Sequence, residues 1–587
     1  MPSTYLAHAR RFKFRYTKQA ASAAFFMRIS RPYAFGLLFF TLSWLAYDHY
    51  RPWVNFHAEL MALIGLGFLL ASAIPCQSNF VSLPRACAWI AVVVLVPWFQ
   101  YAGSVSSFAG DALMSSLYLS GLLAAVYVGY HLTNVDTRKT DDDLTWLMYC
   151  LWIAAMVSSV IGLAQWLNVD NPLGMYVIHA DAGDRAMGNL GQPNQLATLL
   201  LMGMSACTYV FERGAIGRLA FALCIGFMTG VLILTQSRTG MLSVLIVAAY
   251  LMWRKGAIKS RLSGKAVACW AACFLIGTLA LPYLNELLLL SDVRSIRSPE
   301  AISERFRIWQ QIGYAVMQSP WVGYGWNQTA TASAVGAIAY PGSLPYTYAH
   351  NFVLDMLAWN GLPLGLLLTG AVAYWFVTRI IASKRLDAVY AMTCLLPLAV
   401  HSMLEYPFAY AYFLITAGLM VGVVEASQVP VRMITLNVRW AWGLLALWLP
   451  IGSCLTYEYF LIEEDFRVVR FENLRIGKTS ETYEIPDVWM LSQMGTMLKS
   501  RRLVIEPNMQ KTDLETLRVV SQRFADNVPH FRYALALALN DDPAKANHQL
   551  AIIRGMYGNA YYLACQRELR RLMKEKYPQL AAVVGAD

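Results

Sequence analysis

The side chains able to do chemistry fall in a few short stretches, each at the edge of a long apolar run. "GDRAMGNLGQPNQLATLL" carries Arg185, Gln192 and Asn194. These are amide and guanidinium donors at the start of an expected helix, a setting suited to anions or sugar hydroxyls. Pro193 and Asn194 could equally serve only to start that helix. "LTQSRTG" sets Arg238 between two apolar stretches, where a charge is costly unless paired or snorkelling, and where a guanidinium suits a phosphate. "SERFRIWQQIGYAVMQSPWVGYGWNQ" supplies Arg305 and Arg307, whose planar forks match phosphate oxygens, with a solvated pair as the plain alternative. Behind them Ile308, Ile312 and Val316 form an i, i+4, i+8 stripe, the pattern of an interfacial amphipathic helix that "GYGWN" then breaks.

"YTYAHN" contributes His350, and a neutral imidazole is the natural general base for a hydroxyl near neutral pH, although a lone histidine is more often structural. "HSMLEYPFAYAY" adds His401, Glu405 and Tyr406, of which Glu405 could orient an imidazole or pair with an arginine. Arginines gathered at one membrane edge around one candidate base suggest a reaction on a phosphate-bearing lipid, with the donor energised by its own pyrophosphate leaving group. No Walker or dinucleotide glycine motif appears, and no Cys/His cluster has zinc spacing, so neither cofactor nor metal is expected.

The elements that must position these groups follow from composition. At roughly 150 residues per domain, 587 residues would make about four soluble domains. Only 14% of residues are charged and 57% are hydrophobic, which points instead to a polytopic membrane protein. Thirteen apolar runs of near-spanning length lie at about 33–49, 56–75, 86–102, 112–132, 145–167, 193–211, 216–236, 240–253, 266–284, 352–378, 388–404, 408–425 and 440–456. An all-α fold with about 12–14 transmembrane helices is expected. The net charge of +11 does not call for nucleic acid, because the basic residues sit between apolar runs. With the N-terminus inside, alternate loops carry Arg138 and Lys139; Arg213 and Arg218; Arg254, Lys255, Lys259, Arg261 and Lys265; Arg379, Lys384 and Arg385; Arg432 and Arg439, as the positive-inside rule requires.

Three regions result: a cytoplasmic basic tail over 1–32, a membrane domain over 33–456 with a long outer loop at 285–350, and an outer helical domain over 457–587. In that last region Ala534, Ala536 and Ala538, followed by Pro543 and Ala546, are faintly like a tetratricopeptide hairpin, with an undifferentiated helical cap as the alternative.

Taken together, "SRTG" (237–240), "RFRIW" (305–309) with "SPWVGYGW" (319–326), and "AHN" (349–351) with "NGLPLG" (360–365) resemble the core of the O-antigen ligase and polymerase superfamily, a GT-C-like ligase core. "GNLGQPNQLA" (188–197) and "HSMLEYP" (401–407) resemble its protein-ligase branch, the bacterial O-linked oligosaccharyltransferases of the PglL type. The resemblance implies en bloc transfer of a glycan from undecaprenyl pyrophosphate to Ser or Thr hydroxyls of pilin-like proteins, at the outer face of the bacterial inner membrane. Carried over by motif, His350 would be the catalytic histidine, Arg238 and Arg305 the pyrophosphate contacts, and Gln192 and Tyr406 positioning groups. Arg307 lies outside the usual arginine slot, and Tyr348 stands where many relatives carry a second histidine. The alternatives are ligation to lipid A-core, O-antigen polymerisation, or transport of a lipid or glycan without chemistry.

Overall fold

The structure, a computed structural model, describes residues 30–47, 49–75, 78–133, 143–181, 184–287, 299–342, 344–428 and 433–584. Most of the expected basic tail over 1–32, together with Arg138, Lys139 and Arg432, lies outside the described residues.

Each apolar run folds as a helix, the one over 352–378 broken by a kink at Gly361. In chain order these are α1 (Arg31–Ser43), α2 (Phe56–Ala73), α3 (Arg85–Ala102), α4 (Ala109–His131), α5 (Asp143–Trp166), α6 (Pro193–Glu212), α7 (Arg218–Leu234), α8 (Arg238–Arg254) and α9 (Gly264–Leu287). The loop over 285–350 then contributes α10 (Pro299–Gln318) and α11 (Thr329–Ala337), before α12 (Phe352–Ala382), α13 (Leu386–Ser402), α14 (Ala411–Ala426) and α15 (Val438–Leu474). Four further helices complete the chain: α16 (Ser492–Arg502), α17 (Lys511–Arg523), α18 (Asn527–Leu539) and α19 (Pro543–Glu575). Among the described residues seven helices are long and apolar enough to cross a membrane, and α7, α13 and α14 are apolar but shorter. The chain is an all-α, polytopic membrane protein. Among the described residues the β-structure is a small ribbon that no apolar run announced, in which Phe80–Pro84 (β1) pairs antiparallel with Met433–Asn437 (β2), Ser82 facing Thr435.

At the centre stands α6, buried at every position from Asn194 to Phe211, which makes it a core helix rather than a lipid-facing one. Small residues let its neighbours close in. A Cβ on Gly129 would lie 1.9 Å from the Leu419 carbonyl oxygen, and one on Gly422 would lie 2.2 Å from that of Val126. These two glycines therefore permit the backbone-to-backbone approach of α4 and α14, the usual device where burial in lipid gives no hydrophobic drive.

Helix α15 has 37 residues, about 55 Å at the α-helical rise, against a hydrocarbon core of roughly 30 Å. Its second half therefore stands clear of the bilayer, and the last helices are fastened to it. Buried Glu458 accepts hydrogen bonds from the amides of Trp489, Met490 and Leu491, and Asp465 takes both arms of Arg502 at 2.9 and 2.7 Å. The same region grips the start of α4 and the loop over 285–350. Arg523 forks onto Asp111, at the start of α4, at 2.7 and 2.8 Å; the Gly342 amide donates to the Gly555 carbonyl at 2.7 Å. Helices α18 and α19 pack as a hairpin around Ala534, Ala538 and Ala546.

Candidate active site

Glu405 is the point on which the site converges. Helix α13 ends at Ser402, and the amides of Leu404 and Glu405 bond back to the His401 carbonyl, a turn that places the Glu405 side chain above the end of the helix. Its carboxylate, only 10% exposed, accepts from Arg305 Nη2 at 2.5 Å and from Asn194 Nδ2 at 3.3 Å through Oε1. Through Oε2 it lies 2.8 Å from His350 Nδ1, a close contact that is not aligned as a hydrogen bond. Burial alone would raise this carboxyl, but His350 and the Arg305 guanidinium outweigh it and hold Glu405 below its ordinary range. Asn194 in turn accepts from Ser237 Oγ at 2.7 Å, which ties the first turn of α6 to the residue capping α8. Arg238 follows that cap directly and is half-buried.

His350 adopts a left-handed backbone, φ +53°, which costs a non-glycine residue about 1–2 kcal/mol and persists only where neighbours fix it. They do so on both sides. The Ala349 amide donates to Asp355 Oδ1 at 2.9 Å and its carbonyl accepts from Trp309 Nε1 at 3.1 Å. Asn351 caps α12 by accepting from Val353 and Leu354. Asp355 is fully buried, and its Oδ1 also takes the Thr329 hydroxyl at 2.7 Å. Behind this brace "SPWVGYGW" docks on the kinked start of α12: the amides of Tyr324 and Gly325 donate to the carbonyls of Ala358 and Trp359. Gly323 (φ +68°) sits so close that a Cβ would meet the Ala358 carbonyl oxygen at 2.5 Å.

The amphipathic stripe of α10 is spent on protein rather than lipid. Ile308, Ile312 and Val316 are buried against Ala332, Met356 and Trp359, which aims Arg305 at Glu405. Arg307, two residues on and about 200° further round the helix, is exposed beside Tyr346 and away from Glu405. Arg185 is half-buried on the segment leading to the turn Gly188–Leu190. His401 is buried beneath Glu405, its Nδ1 2.9 Å from the Thr198 hydroxyl. Gln192 uses its carbonyl oxygen to cap α6, accepting from the Gln195 amide at 2.8 Å, so the helix-start reading of that motif holds alongside any other role.

Tyr406 sits edge-on to the His350 ring, centroids 4.9 Å apart, and belongs to a column of near-parallel rings, Tyr348, Tyr406, Tyr410 and Tyr412, at successive spacings of 4.6, 5.9 and 5.6 Å. Burial pushes the Tyr406 hydroxyl above its ordinary range, so it stays a neutral phenol. Beside the column opens a cleft of about 190 Å³ that reaches Glu405 and His401. Sequence reasoning missed Asp355, Trp309 and the column. It also missed Gln165, whose amide organises the Gly188 turn by accepting from the Met187 and Gly188 amides and donating to the Ile178 carbonyl.

Comparison with known proteins bears on what this arrangement does. Residues 221–369 match the family described as O-antigen ligase, residues 186–209 that described as protein glycosylation ligase, and residues 389–571 that described as virulence factor membrane-bound polymerase, C-terminal. The chain is 28% identical over 543 residues to a general O-oligosaccharyltransferase of Acinetobacter baylyi, covering 89% of this chain and 92% of the relative. It is 25% identical over 418 residues to a ComP-specific O-oligosaccharyltransferase of the same organism, covering 67% and 73%.

Proposed function

The chain belongs to the protein-glycosylation (PglL-type) branch of the O-antigen ligase superfamily and is a glycosyltransferase-type enzyme, and from that membership and the site's geometry we propose that it transfers a preassembled glycan from undecaprenyl pyrophosphate to Ser or Thr hydroxyls of an acceptor protein. The observation that carries the reading is the meeting of His350 and Arg305 on one buried carboxylate, Glu405. With Nδ1 held against Glu405, His350 presents Nε2 to the acceptor hydroxyl and takes its proton as oxygen attacks the anomeric carbon. The carbon–oxygen bond to pyrophosphate breaks as the new one forms, which inverts that carbon. Undecaprenyl pyrophosphate leaves with the bonding electrons. Arg305, which keeps guanidinium N–H groups beyond the one donated to Glu405, and Arg238 at the start of α8 offset the growing charge, the role a metal ion would otherwise take.

Arg254, Lys255, Arg379 and Lys384 lie at the opposite helix ends from Glu405, the distribution that faces the cytoplasm. On this reading the site, the outer loop and the region over 457–587 face the periplasm of the inner membrane. The match of residues 389–571 to a polymerase family favours one other reading, growth of a glycan on a lipid-linked acceptor. Purified chain supplied with undecaprenyl-pyrophosphate glycan and either a pilin-like protein, lipid A-core or a second lipid-linked glycan separates the readings by the mass of the product. Glycan mass on the protein is expected. Product on lipid alone would overturn the protein-acceptor assignment.

A further inference from the structure

Apart from Glu405 at its edge and Tyr406 beside His350, the cleft next to the tyrosine column is lined by groups that the transfer step does not use. The segment between α1 and α2 contributes His49 and Asn55, the turn before α6 contributes Gln192, the first turn of α6 contributes Gln195, and the column contributes Tyr406 and Tyr410. Its charge character is one-sided. Among the described residues no lysine or arginine lines it, and the one carboxylate at its edge is Glu405. A diphosphate would be repelled there, while the guanidinium of Arg305 reaches Glu405 at 2.5 Å.

The polar groups are also fixed in what they offer. Gln192 has its carbonyl oxygen engaged by the Gln195 amide, and Gln195 has its own engaged by the Tyr412 hydroxyl at 2.9 Å. Each side chain is left with an NH2 group as its contribution. His49 is pinned by Nε2 to the Asn189 carbonyl at 2.8 Å. Amide donors beside Tyr406 and Tyr410, whose faces are stacked within the column so that edges and hydroxyls are what remain for a ligand, match a sugar ring, which has hydroxyl oxygens around its rim. At about 190 Å³ the cleft is smaller than a site for a drug-sized ligand, roughly 300 Å³ and above, so it holds one ring rather than a chain.

We propose that this cleft, lined by His49, Asn55, Tyr406 and Tyr410 among others, is the subsite for the first sugar of the donor, the one attached to diphosphate. It sets which sugar is accepted at that position. This rests on the transfer reading above. Tyr406 joins the two parts of the site, since it lines the cleft and meets the His350 ring edge-on at 4.9 Å. A ring seated there has its anomeric carbon at the Glu405 end, with diphosphate directed toward Arg305.

The test uses the full chain in nanodiscs, one fixed acceptor protein, and undecaprenyl-pyrophosphate-linked glucose, galactose, N-acetylglucosamine and N-acetylgalactosamine as donors. Asn55→Ala and His49→Ala are expected to change the ratios of kcat/KM among these donors by about tenfold, the size of one lost hydrogen bond, with the acceptor KM unaltered. A binding measurement on the His350→Ala chain supplies a readout without turnover. Each monosaccharide donor should bind more tightly than undecaprenyl pyrophosphate alone, and Asn55→Ala should remove that increment. Unchanged donor ratios, or an increment that survives Asn55→Ala, overturn the subsite. A shift in acceptor KM instead assigns the cleft to the acceptor and overturns it as well. Absence of transfer by the wild-type chain from every donor, with the binding increment intact, would strike at the transfer reading and leave the subsite standing.

Discussion

Glu405→Gln isolates the function of the carboxylate that gathers the site. The substitution keeps size and one acceptor oxygen, so Asn194 and Arg305 retain a hydrogen-bond partner, while the charge that faces His350 Nδ1 at 2.8 Å is removed. Breaking a fully buried ion pair costs about 3–5 kcal/mol, but Arg305 and His350 are 31% and 22% exposed, so solvent screening reduces the loss of stability to about 1–2 kcal/mol. Catalysis should suffer more. A positioned base contributes about 10²–10⁴-fold, and without the carboxylate the imidazole loses both its orientation and the charge that stabilises it once protonated, so kcat should fall about 10²-fold with donor KM little changed. Single-turnover transfer in proteoliposomes, with folding checked by thermal unfolding, reads both quantities. The sign of the pH effect is also fixed. Because the Glu405 carboxyl lies below its ordinary value of 4.5 in the folded chain, its stabilisation is complete above that value and is lost as pH falls through the lower folded value. The wild-type chain should therefore lose thermal stability more steeply than Glu405→Gln below pH 4.5. A folded Glu405→Gln chain with wild-type kcat would refute the reasoning.

Substitutions at three other positions probe the surroundings. Arg305→Lys keeps the charge but not the planar fork, and kcat/KM for the donor should drop about tenfold or more in steady-state assays, a smaller loss than Arg305→Ala. Asp355→Ala frees the Ala349 amide and leaves Thr329 unmatched in a buried place; about 2–4 kcal/mol of stability should go in thermal unfolding. The milder Asp355→Asn should lower kcat without raising the acceptor KM. Gly129→Ala puts a methyl group against the Leu419 carbonyl and should destabilise the bundle by about 1–3 kcal/mol, seen as a lower unfolding temperature with donor preference unchanged.

His350, Arg305 and Glu405 were legible in the sequence for a simple reason: an ionisable group at the edge of an apolar run is conspicuous against hydrocarbon. The thirteen helices were legible because run length and hydropathy are enough to find them. Asn194 was visible but its part was not, since nothing local says that its amide bridges Ser237 to Glu405. Asp355 was hidden for the opposite reason. It sits at the first turn of a long apolar helix, where an acidic residue reads as ordinary helix-start chemistry, and only the folded chain brings Ala349 and Thr329 to it. The tyrosine column joins Tyr348 to rings at 406–412 across α12 and α13, and the β-ribbon pairs Phe80 with Asn437; neither leaves a periodic trace. One signal was available and went unread: Gly418 and Gly422 stand four residues apart in an apolar helix, the spacing of a small-residue helix contact.

The central claim is that His350 takes the proton from the acceptor as the glycan moves, and the most direct test is the rate of mass gain on an acceptor protein mixed with undecaprenyl-pyrophosphate glycan and purified His350→Ala chain. The account predicts a rate at least about 10²-fold below that of the wild-type chain, with donor binding retained. Transfer by His350→Ala at close to the wild-type rate would contradict it.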